Sequence, residues 1–313
     1  MTAARIWALH LALIAALFAA QYLLPPYHVT NLARIMVLAV FAMGYNLAFG
    51  YTGLLSLGHA LFFAAGMYGG GLLSYHLGWT ALPALIAGLA AGGMMAGAVG
   101  LLALRTTGVS FMIVTLMFAQ AGYLTILYFG PTTGGDEGLN LPAAGRSLLG
   151  FSLSADGPRY LVALGLFSTA LLCCLGIARS RLGRIMVAMR ENEERSRMLG
   201  YNPFTVKLIA LVLSGLFSGL AGAAYGVLFG YVGASFATIQ YSILPMLYVL
   251  LGGAGTVIGP FLGALLMFYL IDFASGLTSA YLFFVGAALV TLVLFAPKGI
   301  LGTIRERWLG WLP

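Results

Sequence analysis

Long apolar stretches separated by short polar connections follow one another along the whole chain. Most of them approach the roughly 20 residues that a helix needs to cross a bilayer core about 30 Å thick. They are continuously apolar, whereas the strands of a membrane barrel alternate between apolar and polar positions. The pattern therefore predicts an all-α, polytopic transmembrane helical bundle of about ten spans in one domain, residues 1–313. The stretches lie at about residues 6–24, 31–49, 54–75, 81–104, 109–129, 159–178, 207–229, 240–252, 257–275 and 280–296.

The composition excludes a soluble fold. Hydrophobic residues make up 61% of the chain and charged residues 7%, whereas soluble domains carry about 25% charged residues. The formal net charge of +7 does not indicate nucleic acid as a partner, because seven of the 15 basic residues crowd between Arg179 and Lys207. Cys173 and Cys174 are adjacent within an apolar stretch, which suits packing and neither a disulfide nor a metal site. Membrane lipid is the expected surrounding.

Polar residues and glycines enter the apolar stretches at two places, residues 49–59 and 251–260. In lipid such interruptions are tolerated only where protein or a water-filled cavity satisfies the freed backbone groups. Both places are therefore candidate linings of a translocation pathway, with ordinary helix ends as the alternative. For His59 the alternative is a hydrogen-bonded histidine that packs two helices. The candidate pathway residues are Asn46, Thr52, Ser56, His59, Gln120, Gly252, Gly253 and Gly255.

The sequence lacks the motifs of nucleotide hydrolysis and of common hydrolases, since G-x-x-x-x-G-K-[ST], H-E-x-x-H and G-x-S-x-G do not occur in it. We therefore expect no enzyme activity, no catalytic residue and no metal or cofactor in this chain. Asp272 is the sole carboxylate within a predicted span, whereas ion-coupled carriers usually place such groups at membrane depth. This disfavours an ion-coupled carrier, although sodium sites built from backbone carbonyls stay open.

Residues 179–206 are densely charged and predict short amphipathic helices ended by Gly200 and Pro203. Because cytoplasmic connections carry the excess of Lys and Arg, this segment is placed in the cytoplasm. Alternation of the spans then puts both termini in the cytoplasm and the long connection 130–158 outside. A short charged helix between two spans suits docking to a soluble partner. The alternative is a solvated loop at an anionic membrane surface.

Several motifs follow one another along the chain: G-Y-T-G-L-L-S-L-G-H-A-L-F-F at residues 50–63, T-G-G-D-E-G-L at 133–139 and L-G-G-A-G-T at 251–256. Further matching stretches lie at 183–201, 207–225 and 297–299. Together they resemble the LivM-type inner-membrane permeases of branched-chain amino-acid ABC importers over most of the chain. The coupling loop of importer permeases follows an E-A-A-x-x-x-G pattern. Here Glu194-Arg195-Ser196 and Gly200 align with it, so the spacing is kept and both alanines are replaced.

The resemblance implies a permease subunit in the bacterial inner membrane that forms the pathway for leucine, isoleucine and valine. It also implies a second, LivH-like permease subunit, two cytoplasmic ATPases that hydrolyse ATP, and a periplasmic binding protein that delivers substrate. Residues 130–158 would be a periplasmic loop and residues 179–206 an ATPase-coupling segment. The expected coupling residues are Gly183, Arg184, Arg190, Glu191, Glu194 and Gly200.

Other functions remain open on the sequence alone. Similar permeases carry urea, short amides or aromatic acids, and residues 194–201 also look like the urea-type branch. An ion-coupled secondary transporter and a membrane scaffold without transport activity are the remaining alternatives. A carrier would transport alone with an ion gradient, whereas a scaffold would show no flux in any assembly.

Overall fold

The computed structural model describes residues 2–148, 150–277, 280–296 and 298–307. Helices make up most of it, which confirms the all-α prediction. They are α1 (Thr2–Leu23), α2 (Pro26–Asn46), α3 (His59–Leu77), α4 (Ala81–Ala103), α5 (Gly108–Tyr128), α6 (Gly130–Thr133), α7 (Asp156–Arg179), α8 (Arg181–Glu191), α9 (Glu193–Met198), α10 (Pro203–Phe229), α11 (Ile239–Gly252), α12 (Gly259–Leu277), α13 (Tyr281–Phe295) and α14 (Gly299–Arg307). The shorter elements are a π-helical turn (Leu47–Tyr51), 3₁₀ turns (Ala143–Gly145 and Ala234–Ala237) and strands β1 (Leu139–Asn140), β2 (Ser147–Leu148), β3 (Phe151–Ser152) and β4 (Tyr231–Val232).

Each of the ten apolar stretches contains one of these helices, namely α1 to α5, α7 and α10 to α13. Within the described residues, seven helices are long and apolar enough to cross a membrane: α1, α2 with its π-helical turn, α4, α5, α7, α10 and α12. Two of the others, α11 and α13, have 14 and 15 residues, fewer than the roughly 20 of a full span. α3 begins at His59 and not near residue 54 as predicted, because Gly53 and Gly58 interrupt the stretch.

The connections between helices lie at two opposite ends of the bundle. At one end β1, in the 130–158 connection, pairs antiparallel with β4 after α10, and His76 in the last turn of α3 hydrogen-bonds to Thr132 O at 3.2 Å. At the other end α8 contacts the segments that follow α2 and α11. We call these the outer end and the inner end. Successive long helices therefore run in alternating directions, as expected of spans that each cross once.

α2 is the central helix of the bundle. Its residues are almost wholly buried, including Ile35, Phe41 and Tyr45, and it packs against α7, α10, α11 and α12. α1 and α5 lie at the periphery, where only 17% of each span is buried. The peripheral helices therefore present apolar side chains to the membrane, whereas α2 meets almost only protein.

α3, α4 and α10 pack backbone against backbone. A side chain on Gly66 of α3 would collide with Gly219 of α10, and a Cβ on Gly92 of α4 would lie 2.5 Å from the Gly219 Cα atom. Lipid supplies little hydrophobic driving force for helix association, so close van der Waals packing of this kind holds membrane helices together. The three helices consequently form one tightly joined layer beside α2.

Candidate functional site

The inner end of α2 loses α-helical geometry over residues 47–58, which we call the first break. It starts as a π-helical turn and continues as an irregular segment. The Thr52 hydroxyl donates to Leu47 O at 2.9 Å, and the Ser56 hydroxyl accepts from Gly58 N at 3.1 Å. Thr52 and Ser56, two predicted pathway residues, are buried and satisfy the backbone of the break from within.

A second break, residues 253–258, separates α11 from α12 at the same end. The Thr256 hydroxyl donates to Gly253 O at 2.7 Å and closes this loop. α11 and α12 enter and leave the break in close contact, because a side chain on Gly252 would collide with Gly259. The predicted pathway residues Gly252 and Gly253 therefore lie where backbones approach each other, and both are buried.

Asn46 joins the two breaks. It lies at the end of α2 and is fully buried. Its Nδ2 atom donates to Thr256 O, and its Oδ1 atom accepts from Gly255 N, each at 2.9 Å. Gly50 fits against this pair, since a Cβ on it would overlap Asn46 Oδ1 and lie 2.6 Å from Gly255 N. One amide side chain at the end of α2 thus satisfies two backbone groups of a distant loop, as burial in a membrane requires.

Arg190 brings α8 to the same place. It lies in the last turn of α8, and its Nη1 atom donates to Gly50 O. The guanidinium also lies beside the second break, where a Cβ on Gly255 would be 3.1 Å from Arg190 Nη1. α8, Asn46 and the two breaks therefore form one continuous set of contacts at the inner end.

α8 and α9 are fastened to the long helices on either side of them. The Ser180 hydroxyl caps α8 by accepting from Gly183 N at 3.2 Å, and a side chain on Gly183 would collide with Ile177 O of α7. Lys207 of α10 pairs with Glu193 of α9 at 2.6 Å. Gly183, a predicted coupling residue, therefore sets how closely α8 approaches α7.

The other predicted coupling residues are exposed at the surface of the same segment: Arg184, Glu191, Glu194 and Gly200. Gly200 has a φ of +90° between α9 and α10, a left-handed conformation that favours glycine. Pro203 was expected to end a helix but is the first residue of α10. Proline suits this position because the first N–H groups of a helix lack partners within it.

Two features of this segment are missing from the sequence interpretation. The ion pair with Lys207 is made by Glu193 and not by the neighbouring Glu194. Met198 and Leu199 are 86% and 71% exposed. Exposed apolar patches on soluble surfaces mark interaction sites. An apolar pair at the end of a charged helix, directly before a glycine turn, is the sequence signal that could have indicated this surface.

His59 is the first residue of α3 and is fully buried. Its Nε2 atom lies 2.7 Å from the Ser214 hydroxyl of α10, and its ring packs edge-on against Tyr45 of α2 with centroids 4.6 Å apart. It thereby joins three helices, the arrangement given above as the alternative to a pathway role. Gln120 is half-buried on α5, and no hydrogen bond within the described part of the chain links it to Asn46 or His59.

A cavity of about 520 Å³ opens at the inner end. Its walls come from residues 52–55 of the first break, from the connection between α4 and α5, and from residues 189–193. Phe111 and Met112 form an apolar part of the lining, whereas residues 190–193 contribute charge. Of the predicted pathway residues, Thr52 reaches this cavity.

The 130–158 connection is fastened to the outer end of α10. Arg146 Nε donates to Val227 O at 2.9 Å, and Arg146 Nη2 donates to Leu228 O at 2.7 Å. Burial lowers the pKa of the Arg146 guanidinium from its usual value, and the nearby charge of Arg159 acts in the same direction. Together with the pairing of β1 and β4, these bonds give the connection a fixed position over α10.

A bundle of apolar helices that is interrupted at one end, and overlaid there by an amphipathic segment, defines a polytopic integral membrane protein. The family described as "Branched-chain amino acid transport system / permease component" matches residues 27–296. The chain belongs to this family.

Individual relatives agree with the family match. The chain is 31% identical over 301 residues to the high-affinity branched-chain amino acid transport system permease protein LivM of Escherichia coli (strain K12), which covers 87% of this chain and 69% of that protein. LivM of Salmonella typhimurium is 30% identical over 299 residues, with the same coverage. LivH of Escherichia coli (strain K12) is 24% identical over 284 residues, covering 84% of this chain and 91% of that protein. No solved structure matches the chain.

Proposed function

We propose that this chain is one of two permease subunits of an ABC importer that carries leucine, isoleucine and valine across the bacterial inner membrane. The observation that carries the proposal is the family match over residues 27–296, together with relatives named for branched-chain amino acid transport. Similarity to both LivM and LivH supports a second, LivH-like permease subunit beside this chain.

One of two cytoplasmic ATPase subunits docks on α8 and α9 in this proposal. Support comes from the exposed apolar pair Met198 and Leu199, which lies beside the exposed charges of Glu194 and Arg195. A core of apolar side chains within a polar rim is typical of protein interfaces. ATP is then hydrolysed by the partner subunits, and this chain needs no cofactor of its own.

A periplasmic binding protein delivers the substrate to the outer end. Residues 130–158 offer it the exposed carboxylates of Asp136 and Glu137. Hydrogen bonds from Arg146 hold this surface on α10, so binding there bears directly on a transmembrane helix. Charged groups at the rim of an interface steer a partner into the correct orientation.

The inner end faces the cytoplasm in this arrangement, and both termini lie on that side. Support comes from the distribution of basic residues, since seven of them lie between Arg179 and Lys207 at the inner end. The outer connection 130–158 contains one, Arg146. Such a bias is the positive-inside pattern of bacterial membrane proteins.

Uptake into vesicles tests the proposal. This chain is reconstituted with its second permease subunit and both ATPases, with ATP inside the vesicles and with the binding protein and labelled leucine outside. We expect uptake that requires ATP, that unlabelled isoleucine and valine reduce, and that urea, acetamide and an aromatic acid leave unchanged.

A matched pair of variants tests the docking surface in the same assembly. Leu199→Asp places a charge at the centre of the proposed apolar contact, and we expect it to lower ATPase co-purification and uptake together. Phe151→Asp changes a residue that is 67% exposed at the outer end and serves as the control, with ATPase co-purification unchanged.

Other outcomes would redirect the interpretation. ATP-dependent uptake of urea, an amide or an aromatic acid in place of leucine would keep the importer class and change the substrate. Uptake by this chain alone under an ion gradient would overturn the importer class. No flux of any of these solutes in the full assembly would favour the scaffold.

A further inference from the structure

Arg190 lies where α8 meets both breaks. Its guanidinium donates to Gly50 O in the first break, and the second break passes so close that a Cβ on Gly255 would lie 3.1 Å from Arg190 Nη1. Its aliphatic stem covers Gly53, where a Cβ would be 3.3 Å from Arg190 Cγ. Gly53 and Gly255 both have a φ of +76°, a conformation that disfavours side chains, so the breaks present bare backbone to Arg190.

Asn46 extends the contact from one break to the other. Its side chain hydrogen-bonds to Gly255 N and Thr256 O, while Gly50 is in contact with its Oδ1 atom. The sequence of contacts is therefore Arg190, Gly50, Asn46 and then the second break. Every link joins a side chain to backbone: the Arg190 guanidinium to Gly50, and the Asn46 amide to Gly50 and to the second break.

We infer that Arg190 is a positioning residue for transport, which passes movement of α8 through Gly50 and Asn46 so that both breaks shift together. The inference rests on the proposed function, since it assumes that a partner at the inner end moves α8. Arginine suits this task because its planar guanidinium is always charged and offers several donors in a fixed geometry. Lysine would offer a single ammonium on a flexible stem. Arg190→Lys therefore keeps the charge and removes the fixed donor geometry.

A purely structural role for Arg190 would have a different signature. If the bond to Gly50 only held α8 in place for docking, its loss would reduce ATPase binding, ATP hydrolysis and uptake in the same proportion. If it transmits movement, the ATPases stay bound and hydrolyse ATP while fewer solutes cross for each ATP. The ratio of ATP hydrolysed to solute taken up therefore separates the two roles.

The experiment compares Arg190→Ala and Arg190→Lys with Arg105→Ala in the complete importer in vesicles. Arg105 is an exposed arginine at the inner end, in the connection between α4 and α5, and makes a matched control. We expect the ATP-to-solute ratio to rise about tenfold in Arg190→Ala, the factor that corresponds to loss of a charge-assisted hydrogen bond, and to rise in Arg190→Lys as well. The ratio should stay at its original value in Arg105→Ala.

Hydrogen exchange of the same purified assemblies gives a readout that does not depend on transport. Arg190→Ala is expected to speed amide exchange about tenfold in both breaks, residues 47–58 and 253–258, and Arg105→Ala is not. Asn46→Ala should loosen the second break and raise the ATP-to-solute ratio, with little added by Arg190→Ala in the double variant.

The outcomes distinguish this inference from the proposed function. An unchanged ATP-to-solute ratio in Arg190→Ala, or exchange that rises in the first break alone, would overturn the inference while the importer stands. If the unaltered assembly takes up no solute, the proposed function fails, and faster exchange in both breaks would still establish the connection through Arg190.

Discussion

An arginine side chain hydrogen-bonds to backbone carbonyls at each end of the bundle, and the two arrangements differ. At the outer end Arg146 donates through two nitrogens to Val227 O and Leu228 O, the carbonyls in the last turn of α10. At the inner end Arg190 donates through one nitrogen to Gly50 O, in a helix that has already lost its α-helical geometry. Both arginines lie beside glycines with positive φ, Gly230 and Gly255. The outer bonds complete a helix, whereas the inner bond joins α8 to an interrupted helix and lies beside a second break.

The difference separates a stabilising role for Arg146 from the positioning role inferred for Arg190. Carbonyls at the end of an intact helix already have fixed positions, so Arg146 adds stability to a connection that strand pairing also holds. Beyond the π-helical turn at residues 47–51, the breaks at the inner end have no regular secondary structure. Their relative position therefore depends on Asn46 and Arg190. We therefore expect substitutions at the outer end to change stability and substitutions at the inner end to change how movement is transmitted.

The largest expected effect tests the contacts of Gly50 at the inner end. Gly50→Ala would place a Cβ into Asn46 Oδ1 and against Gly255 N, so we expect a loss of about 3 kcal/mol in stability from overpacking. The fall in melting temperature of the purified chain measures it. Gly165→Ala is the matched control, because a Cβ there meets open space on α7 and alanine favours a helix. Equal melting temperatures for both variants would contradict the close contact at Gly50.

Arg146→Ala tests whether the two arginines truly differ. It leaves two carbonyls of α10 without their charged donor, so we expect a loss of about 2 kcal/mol in stability. The melting temperature should fall, while the ATP-to-solute ratio of the assembled importer should stay unchanged. A rise in this ratio like the one expected for Arg190→Ala would remove the distinction between the two ends.

Gly200→Ala probes the connection that carries the inner segment from α9 to α10. With φ at +90°, alanine at this position is strained by about 1 kcal/mol, and we expect weaker co-purification of the ATPase. Gly200→Asn is the matched variant, because asparagine adopts left-handed conformations more readily than other side chains. A Cβ at Gly200 meets no neighbouring atom within 4 Å. Recovery of co-purification in Gly200→Asn would therefore assign the effect to backbone conformation, whereas equal loss in both variants would contradict that assignment.

The smallest expected effect concerns the ion pair between Glu193 and Lys207. The Glu193 side chain is 39% exposed and that of Lys207 is 16% exposed, so the pair contributes about 0.5 kcal/mol and weakens with salt. A double-mutant cycle of Glu193→Gln and Lys207→Met, followed by melting temperature at low and high salt, measures it. A coupling energy that does not change with salt concentration would contradict this solvent-exposed description of the pair.

The sequence predicts the helices of this fold better than the contacts between them. Apolar stretches near 20 residues follow directly from the thickness of a bilayer, and all ten contain a helix. Glycines and polar residues also mark both breaks, because few other residues interrupt a helix in lipid. The predicted start of the third helix near residue 54 was wrong, because Leu54, Leu55 and Leu57 are apolar but lie in an irregular segment before α3.

The arrangement of the candidate site depends on contacts that no local pattern contains. Asn46 and Thr256 are 210 positions apart, and His59 meets Ser214 across 155. Within the charged segment, helical rotation decides that Glu193 points toward Lys207 and that Glu194 is exposed. Composition and spacing are alike for these neighbours, so only the packing of α9 on α10 distinguishes them.

The glycine contacts among α3, α4 and α10 have a mechanical consequence. Where backbone atoms meet directly, as at Gly66, Gly92 and Gly219, no side chain can change rotamer to let one helix slide past another. These three helices should therefore act as a stationary frame. Changes of access must then come from elements outside this frame: the inner end of α2, together with α11 and α12, which are joined to one another by the exchangeable hydrogen bonds of Asn46. A crosslink within the frame should leave transport intact, whereas one between the frame and α11 should stop it.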